Sequence, residues 1–594
     1  MTALSPPSRR RASWTRPTRL ASIVFVAKVA VLRARRTGQD LAAGPPRLFK
    51  ADPGADIRVI AEDRTPLWSD ESLAERALQL GKVQNLRVAC RALDGLLIPA
   101  GSVFSLWRHL GAPIRARGYV EGRMLQQGCM VKAVGGGLCQ LSNALYEVAL
   151  QAGCRIIERH AHSSIVPGSA AAIGRDATVA WNYVDLRFVP DQPLRLTARL
   201  DQGSLIVRLL GGAKVTLPAH AEPTPTSPAA RSCGSCDETN CFRHEQRKSA
   251  PPASRRAFLV DESWPEFQDY VHGARGLADH LALPIDGARL KLARYAWRTE
   301  GFGRTASAPL AAIGRTLALR RAGPQGAVRR GAELAAAGKI AAKLAGVLTT
   351  QVTAVTVAQS YLPFLWRDGH LGGRQVSVLM TRLPLATLQA RLDAHAAAHP
   401  QRATLADFRA PAWLVEAEGE ALVQADRIIT AHAEIAALFE GRAIRLPWRS
   451  PQIERGACSH LRRIAFPGPT VARKGAHAVR EAALALDLEI MLLGAELEGQ
   501  DFWRGVRTVP AGDWRSAAAM VQPALVEDQP RRLLAALAAG VPVIATPASG
   551  LDPRPGLTLI PPDDPQALIA ALEMLQGQEA PRELTTPIEV DCRI

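Results

Sequence analysis

The sequence predicts a multi-domain chain in which an α+β domain precedes an α/β pair of Rossmann-like, doubly wound domains. Three observations predict it. A length of 594 residues exceeds what a single core sustains. A stretch with Pro223, Pro225 and Pro228 reads as an extended linker between two regions. From about Arg256 onward, short apolar runs alternate with Ala/Leu-rich helical stretches, which is how buried parallel strands and their crossover helices read.

Residues 1–47 form a basic tail with a short apolar helix. Leu20 to Leu32 is interrupted by a single charge, Lys28, and arginine clusters at 9–11 and within 33–36 (Arg33, Arg35 and Arg36) flank it. These 13 residues fall short of the roughly 20 that cross a bilayer, and no small-residue cleavage site follows them. A helix lying in the headgroup region fits better, so the chain is expected to be cytoplasmic and peripheral at the inner face of the membrane.

The α+β domain is placed at residues 48–217. Helical periodicity runs over Ser72 to Leu93, and strands are expected at Arg155 to His162 and Ala177 to Val189. Between them, Gly135-Gly136-Gly137 leads into Leu138-Cys139-Gln140-Leu141-Ser142, with Leu141, Leu145, Val148 and Ala152 at helical spacing and Gly153 as the stop. Cys139 then sits among the unpaired amides of a helix N-terminus, which favour thiolate over thiol. If Arg155 to His162 is one strand, alternation puts Glu158, His160 and His162 on one face. Cys139, either histidine as base and a carboxylate such as Asp176 or Asp185 are the parts of an activated nucleophile. Two histidines with a cysteine can also ligate a metal, and a small buried cysteine at a tight helix start is the plain structural alternative.

Residues 218–255 carry the linker and the set Cys233, Cys236, Cys241 and His244. Three thiolates and an imidazole at this spacing can close on one tetrahedral ion. Zinc is the first expectation and an iron–sulfur cluster the alternative; uncoordinated thiols are the third reading. The nine cysteines are odd in number, and three fall within nine positions, a usage that suits a reducing compartment better than a disulfide framework.

The α/β pair is divided into residues 256–441 and 442–594. Apolar runs at Ala257 to Val260, Val352 to Val357, Arg374 to Met380, Ile428-Ile429, Arg463 to Phe466, Glu489 to Leu493, Met520 to Pro523, Val541 to Thr546 and Leu557 to Ile560 are the expected strands. A ligand is expected in the cleft outside their carboxyl ends. Arg473, Lys474 and Gly475 open a helix, where backbone amides and basic side chains can hold a diphosphate. Glu527 at a strand end can accept hydrogen bonds from sugar hydroxyls, and Gly540 permits the turn into the next buried strand. The polar loop Trp366 to Arg374 holds His370, a candidate contact to donor or acceptor.

Charge narrows the partners. With 73 Lys+Arg against 55 Asp+Glu the formal net charge is +18, which favours anions such as phosphates, nucleotide sugars or lipid headgroups; no nucleic-acid-reading motif is present, so nucleic acid is not expected. Arg289 to Lys343 holds twelve basic residues against Glu300 and Glu333, reading as basic amphipathic helix that either meets a membrane surface or is a solvated face.

Two resemblances follow from ordered motifs. Asn85-Leu86-Arg87, Ile98 to Trp107, Gly118-Tyr119, Gly135 to Ser142, Glu158 to Ser163, Gly174 to Val179 and Asp185 to Phe188 resemble the VanW family. The likeness departs between Ser163 and Gly174, where Ile165-Val166-Pro167-Gly168 and an alanine run replace the family's turn. Ala425 to Thr430, Leu446-Pro447, Arg473-Lys474-Gly475, Leu492 to Gly494, Glu527, Gly540 to Thr546, Ser549 to Leu551 and Asp563 to Pro565 are similar in order to the C-terminal half of group 1 glycosyltransferases of the GT-B type. There the family's second carboxylate, eight positions after Glu527, is replaced by Ala535, and its arginine after Gly468 by Pro469, with Arg473 as the substitute.

The resemblances imply a bacterial-type protein with a VanW-like domain and a GT-B pair. It would transfer a sugar from a nucleotide-sugar co-substrate to a cell-envelope acceptor, with an anionic membrane surface or lipid-linked acceptor as partner. Two alternatives stand beside it. One is a cysteine-dependent acyl transfer or peptidoglycan-linked activity; the other is a non-catalytic envelope binding scaffold with a degenerate transferase half.

Overall fold

A computed structural model describes residues 18–50, 58–68, 73–126, 129–162, 174–212, 231–232, 254–454, 460–499 and 501–578. By contact the chain forms two units. The first runs to Arg255 and takes in segments 348–353 and 367–375; the second holds the rest. Cys233, Cys236, Cys241 and His244 lie outside the described residues.

The first unit begins with α1 (Arg19–Ala43), a single helix of 25 residues where a short apolar one was expected. Arginine is a good helix former, so nothing ends the helix between Leu32 and Gly44. Thr18 caps it, its hydroxyl accepting from the Ala21 amide at 3.2 Å. Ion pairs hold its later half, Arg36 to Glu158 at 2.6 Å and Asp40 to Arg187 at 2.8 Å, while Leu20, Ile23, Phe25 and Val26 are exposed. Among the described residues no helix is long and apolar enough to cross a membrane.

Then come β1 (Arg58–Pro66), α2 (Leu73–Leu93), β2 (Leu96–Ile98), β3 (Phe104–Ser105), α3 (Leu106–Leu110), β4 (Glu121–Gln126), β5 (Cys129–Val134), α4 (Leu138–Gln151), β6 (Arg155–Glu158), β7 (Arg187–Val189), β8 (Leu194–Leu200), β9 (Ser204–Gly211) and β10 (Arg231–Ser232). They form sheets ordered β1-β9-β8-β2, β10-β5-β4 and β3-β7-β6. In β8 and β9 every second residue is buried, Leu194, Leu196 and Ala198 against Leu205, Val207 and Leu209, so one face of that sheet is core. Against it pack α2 and α4, whose buried Val83, Leu86, Ala89 and Leu93, and Leu141, Leu145 and Val148, recur at helical spacing.

The glycine run works by close approach. A side chain on Gly136 would place its Cβ 2.3 Å from the Gly122 carbonyl oxygen, and Gly137, with φ of 100°, starts α4 in the left-handed region. The buried Asn85 pins this turn: its Oδ1 accepts from the Val120 amide at 2.8 Å, and its Nδ2 donates to the carbonyls of Val120 at 3.0 Å and Gly136 at 2.8 Å.

The strands expected around the histidines are shorter than the pattern suggested. β6 stops at Glu158, and of Ala177 to Val189 only β7 is strand. Side chains take over the backbone there. Arg159 donates to the carbonyls of Asp176 and Gly174, both at 2.7 Å, the Asp176 carboxylate accepts from the His162 amide at 2.7 Å, and Thr178 N–H reaches the His160 carbonyl.

The second unit holds two parallel sheets. One contains β11 (Arg255–Leu259), β12 (His280–Leu283), β13 (Arg304–Ser307), β14 (Val352–Ala358), β15 (Gln375–Leu379), β16 (Arg427–Thr430) and β17 (Ala443–Arg445), ordered β13-β12-β11-β14-β15-β16-β17. The other contains β18 (His460–Phe466), β19 (Glu489–Leu492), β20 (Arg507–Val509), β21 (Ala517–Gln522), β22 (Val543–Ala545) and β23 (Leu557–Leu559), ordered β20-β19-β18-β21-β22-β23. Both orders reverse beside their first strand, between β11 and β14 and between β18 and β21, which opens a crevice at the carboxyl ends. Each of the nine apolar runs is a strand, and β12, β13, β17 and β20 complete the sheets.

Replacing Asn85 by Ala removes three hydrogen bonds and leaves a buried amide without a partner. It should cost about 3 kcal/mol, read as a lowered urea midpoint at unchanged slope.

Candidate functional site

Among the described residues two hollows, one in each unit, gather residues that the sequence singles out. In the second unit, a crevice of about 340 Å³ lies between the strand ends of the two sheets. Lys474 reaches it from the turn Ala472–Lys474, which leads into the helix Ala476–Leu486 through Gly475. Gly475 has φ of 82°, and a Cβ there would stand 2.3 Å from the Pro523 carbonyl oxygen, so the helix start presses against the loop that carries Glu527.

Lys474 and Glu527 are joined. Lys474 Nζ donates to Glu527 Oε2 at 2.9 Å and to the Val526 carbonyl at 3.0 Å. Gln522 Nε2 reaches the same carboxylate oxygen at 2.5 Å, and the Gln529 amide bonds Oε1 at 2.9 Å. Burial pushes the Glu527 carboxyl up, but the Lys474 charge and these donors outweigh it and hold it below its usual 4.5. A carboxylate accepts about four hydrogen bonds and an ammonium donates three, so each group keeps capacity for a ligand.

Arg473 is buried beside them. Its guanidinium donates to Gln325 Oε1 at 2.7 Å and lies 5.1 Å from the centre of the Phe408 ring, over which Arg330 also sits, at 4.2 Å. Burial, with repulsion from Arg382, lowers Arg330 to about 10. Seven basic side chains and five carboxylates line the crevice, so it favours an anion. Opposite, at the end of β11, Asp261 accepts from both Arg315 Nη atoms at 2.9 Å and from Ser360 Oγ at 2.9 Å.

Of the residues expected at the donor site, Arg473 and Lys474 line the crevice; Gly475 and Glu527 are not among its lining residues, though Val526 and Asp528 on either side of Glu527 are, and neither is Gly540. It ends the helix Arg531–Ala538 with φ of 78° and precedes β22, so it lies at the amino end of that strand, away from the carboxyl-end crevice. His370 falls in segment 367–375 of the first unit, where its Nδ1 is 3.3 Å from Arg91 Nη1. The basic stretch from Arg289 is partly internal: Arg315 and Arg330 are buried.

In the first unit, Cys139 is the second residue of α4 and lines a cavity of about 660 Å³ together with His162. The imidazole stands between thiol and carboxylate. Its Nδ1 is hydrogen-bonded to Asp176 Oδ2, and the same ring bonds Cys139. Asp176 is buried and also receives Arg159 Nη2 at 3.2 Å. Burial alone pushes the Cys139 thiol up; the His162 bond and charge, with bonds from the Val179 backbone and from Thr178, outweigh it and bring the pKa down. Burial pushes His162 down, but Asp176 and Cys139 raise it to about 9. His160 does not join them. With β6 ended at Glu158 its ring turns outward, half exposed, 3.5 Å from Glu158 Oε1. Asp185 instead binds Ser105 Oγ at 2.6 Å and Arg187 Nε at 2.9 Å.

The sequence reading missed Lys82, Asp261, Arg330 and Phe408. Asp261 follows the apolar run Ala257 to Val260 directly, the same strand-end signal that pointed to Glu527. Lys82, Arg330 and Phe408 sit within helical or loop stretches that carry no such mark. Among the described residues no three metal-ligating side chains converge.

Two doubly wound parallel sheets facing one basic crevice define the GT-B class of glycosyltransferase. Residues 483–577 match the family described as glycosyl transferases group 1, and residues 81–210 the family described as VanW like protein; the chain carries a domain of each. It is 33% identical over 127 residues to the uncharacterized protein YoaR of Bacillus subtilis, covering 21% of this chain and 41% of that one. It is also 33% identical over 132 residues to the vancomycin B-type resistance protein VanW of Enterococcus faecalis, covering 22% and 48%. The chain thus spans less than half the length of either relative. Among solved structures, the lipopolysaccharide outer core galactosyltransferase WaaB, apo form, aligns over 55% of this chain and 91% of its own at 12% identity and TM-score 0.32. Anabaena Alr3699/HepE in complex with UDP aligns over 55% and 91% at 13% and 0.33. At such scores neither bears on the chemistry of this crevice.

The Glu527 carboxyl titrates lower in the folded chain than in the unfolded one, so the unfolded chain takes up its proton first as pH falls. Its stabilisation is present above about pH 4.5 and is lost as pH drops through the folded value. Replacing Glu527 by Gln should flatten the acid side of the unfolding-temperature profile, measured by scanning calorimetry from pH 7 to pH 3.

Proposed function

We propose that the second unit transfers a sugar from a nucleotide-sugar donor to a cell-envelope acceptor. The observation that carries this reading is the Lys474–Glu527 pair at the β18/β21 reversal, 2.9 Å apart and beside a helix start. The donor diphosphate would lie against the amides at the head of helix Ala476–Leu486, with the third Lys474 N–H and Arg473 as its basic partners. Glu527, held ionised, would accept from hydroxyls of the attached sugar through its remaining lone pair. As the bond from the sugar carbon to the diphosphate oxygen lengthens, negative charge grows on that oxygen, where these donors already point. The acceptor would enter from the side of Asp261 and Ser360, at the β11/β14 reversal.

Placement at the cytoplasmic face of the membrane is part of this proposal. Leu310, Ile313 and Leu317 recur at helical spacing on helix Pro309–Arg321 and are all exposed, with Arg320 and Arg321 exposed at its end. Such a stripe suits an anionic lipid surface. A family-typical second carboxylate is absent, Ala535 standing in its place outside the crevice, so donor affinity rests on the residues named.

Titration calorimetry with a panel of uridine, guanosine and adenosine diphosphate sugars tests the donor site. One member should bind, with Lys474→Ala and Glu527→Ala each weakening it at least tenfold; no binding by any of them would end the reading. In co-sedimentation with vesicles of phosphatidylglycerol and phosphatidylcholine, Leu310→Ser with Ile313→Ser should lower the bound fraction severalfold, and no change would remove the membrane from the proposal.

A further inference from the structure

We propose that the cavity of the first unit is an acyl-transfer site, in which Cys139 attacks a carbonyl carbon, His162 shuttles the proton, Asp176 orients the imidazole, and Lys82 receives an anionic group on the substrate. The inference is independent of sugar transfer in the second unit.

The imidazole links the carboxylate to the thiol. Asp176 holds the ring through Nδ1, and the ring also bonds the thiol of Cys139. That order, imidazole between carboxylate and thiol, is what a nucleophile with its base requires, whereas a metal site needs its ligands to converge. The supports are themselves fixed. Arg159 ties Asp176 to Gly174, and α4 is held to the same segment by Ser142 Oγ donating to the Ala177 carbonyl at 2.5 Å and Asn143 Oδ1 accepting from the Ala177 amide at 2.8 Å.

The surroundings set Cys139 apart from the other cysteines described. Cys90 and Cys154 are buried in the core, and burial pushes both thiols up, that of Cys154 to about 12. Cys139 alone among them lines a cavity with a histidine. The Leu138 and Cys139 amides, which precede the Gln140 amide bonded to the Gly137 carbonyl, lie at the same end of α4 as the sulfur and suit the oxygen of a tetrahedral intermediate.

The cavity also states what it takes. Its walls are largely apolar, with Trp107, Ile114, Met124, Leu125 and Trp181, and no carboxylate is among its lining residues. Lys82 lines it with 7% of its surface exposed and has no hydrogen bond or ion pair to any described residue. Its stem packs on the glycine turn, close enough that a Cβ on Gly137 would meet Lys82 Cγ at 2.2 Å. Burial, and then Arg123 nearby, lowers the ammonium to about 8. A desolvated ammonium without a hydrogen-bonded counter-charge among the described residues, in a cavity that Arg33 and Arg123 also line and where the Cys139 thiolate is matched by the His162 imidazolium, suits an anion. The substrate class is an ester, thioester or amide with an apolar body and a carboxylate or phosphate.

The steps balance without a further reagent. The Cys139 thiolate forms a C–S bond to the carbonyl carbon and the π pair moves to oxygen; when it returns, the bond to the leaving oxygen, sulfur or nitrogen breaks, and that atom takes the proton of the His162 imidazolium. An amine, hydroxyl or water then gives a proton to His162 and attacks the thioester. The C–S bond breaks, and thiolate and imidazolium are restored.

The test uses the full chain with two probes, p-nitrophenyl hemisuccinate and the neutral p-nitrophenyl butyrate, followed by nitrophenolate release and by mass spectrometry of the Cys139 peptide. A transient acyl adduct on Cys139 is expected, at least tenfold faster with the anionic probe. Lys82→Met should remove that preference. His162→Gln should slow acylation at least a hundredfold and move the pH midpoint of iodoacetamide alkylation at Cys139 up by more than one unit, a shift that a purely structural role would not produce. An unmodified Cys139 peptide with both probes, or an alkylation midpoint in the ordinary thiol range that His162→Gln leaves in place, would overturn the nucleophile. Equal rates for the two probes in the unaltered chain would overturn the anion assignment.

Discussion

A carboxylate buried at the end of a parallel strand must keep a cation, and in the second unit that requirement fixes where the crevice lies. Glu527 sits just past β21, the strand beside the reversal, and Lys474 comes from the turn after the facing strand β18. Breaking such a pair leaves a buried charge and costs about 3–5 kcal/mol, so the two loops are bound to each other before any ligand arrives. Asp261 with Arg315 plays the same part at the end of β11, and Glu266, buried with Arg531 at 2.5 Å, joins the two sheets' surroundings beneath. Arg531 in turn lies 5.0 Å from the Trp264 ring and 5.5 Å from Trp448, an aromatic setting that lessens the cost of burying a guanidinium. The crevice is thus a consequence of the topology, and its chemistry a consequence of the ion pairs that topology forces together.

The same rule has a different outcome in the first unit. Asp176 is as deeply buried as Glu527, but besides Arg159 its partner is an imidazole, a cation that can release its proton. Placing a thiol on the far side of that ring turns a structural ion pair into a proton path. The glycine turn makes this geometry reachable: with Asn85 holding the Gly136 carbonyl and Gly137 in the left-handed region, α4 starts close enough to the 176–179 segment for Cys139 to meet His162. A Cβ at Gly136 or Gly137 would push the helix start away.

Much of this was legible in the sequence, and the failures share a cause. Strands buried on both faces read as unbroken apolar runs, so β14, β15, β18 and β21 were visible. β13 and β20 are exposed edge strands, Arg-Thr-Ala-Ser and Arg-Thr-Val, with no apolar run to betray them. Lys474, Glu527 and Cys139 were found because turn glycines and strand ends mark positions along the chain. The choice between His160 and His162 was not, because alternation treats a strand as continuous, and hydrogen bonds that Arg159 donates and Asp176, seventeen residues on, accepts end it after Glu158. Gly540 was misplaced for a related reason: a glycine before a strand and one after it look alike in sequence, yet they lie at opposite ends of the sheet. Lys82 and Arg330 were invisible since a lysine or arginine on a helix is by default a solvated one, and what buries it is distant in sequence.

The excess of positive charge therefore has two distinct fates. In the crevice most cations are balanced internally, Lys474 by Glu527, Arg315 by Asp261 and Arg330 by Glu333 at 3.6 Å, while Arg473, which shares the Phe408 ring with Arg330, donates to Gln325. Burial depresses both guanidiniums, and for Arg330 the neighbouring Arg382 adds to it. Lys82 in the first unit stands in the same condition, lowered by burial and by Arg123. For Lys82 the cost of folding a cation into a dry place without a counter-charge among the described residues is what a bound anion would offset, which is why the proposed substrate carries a negative group.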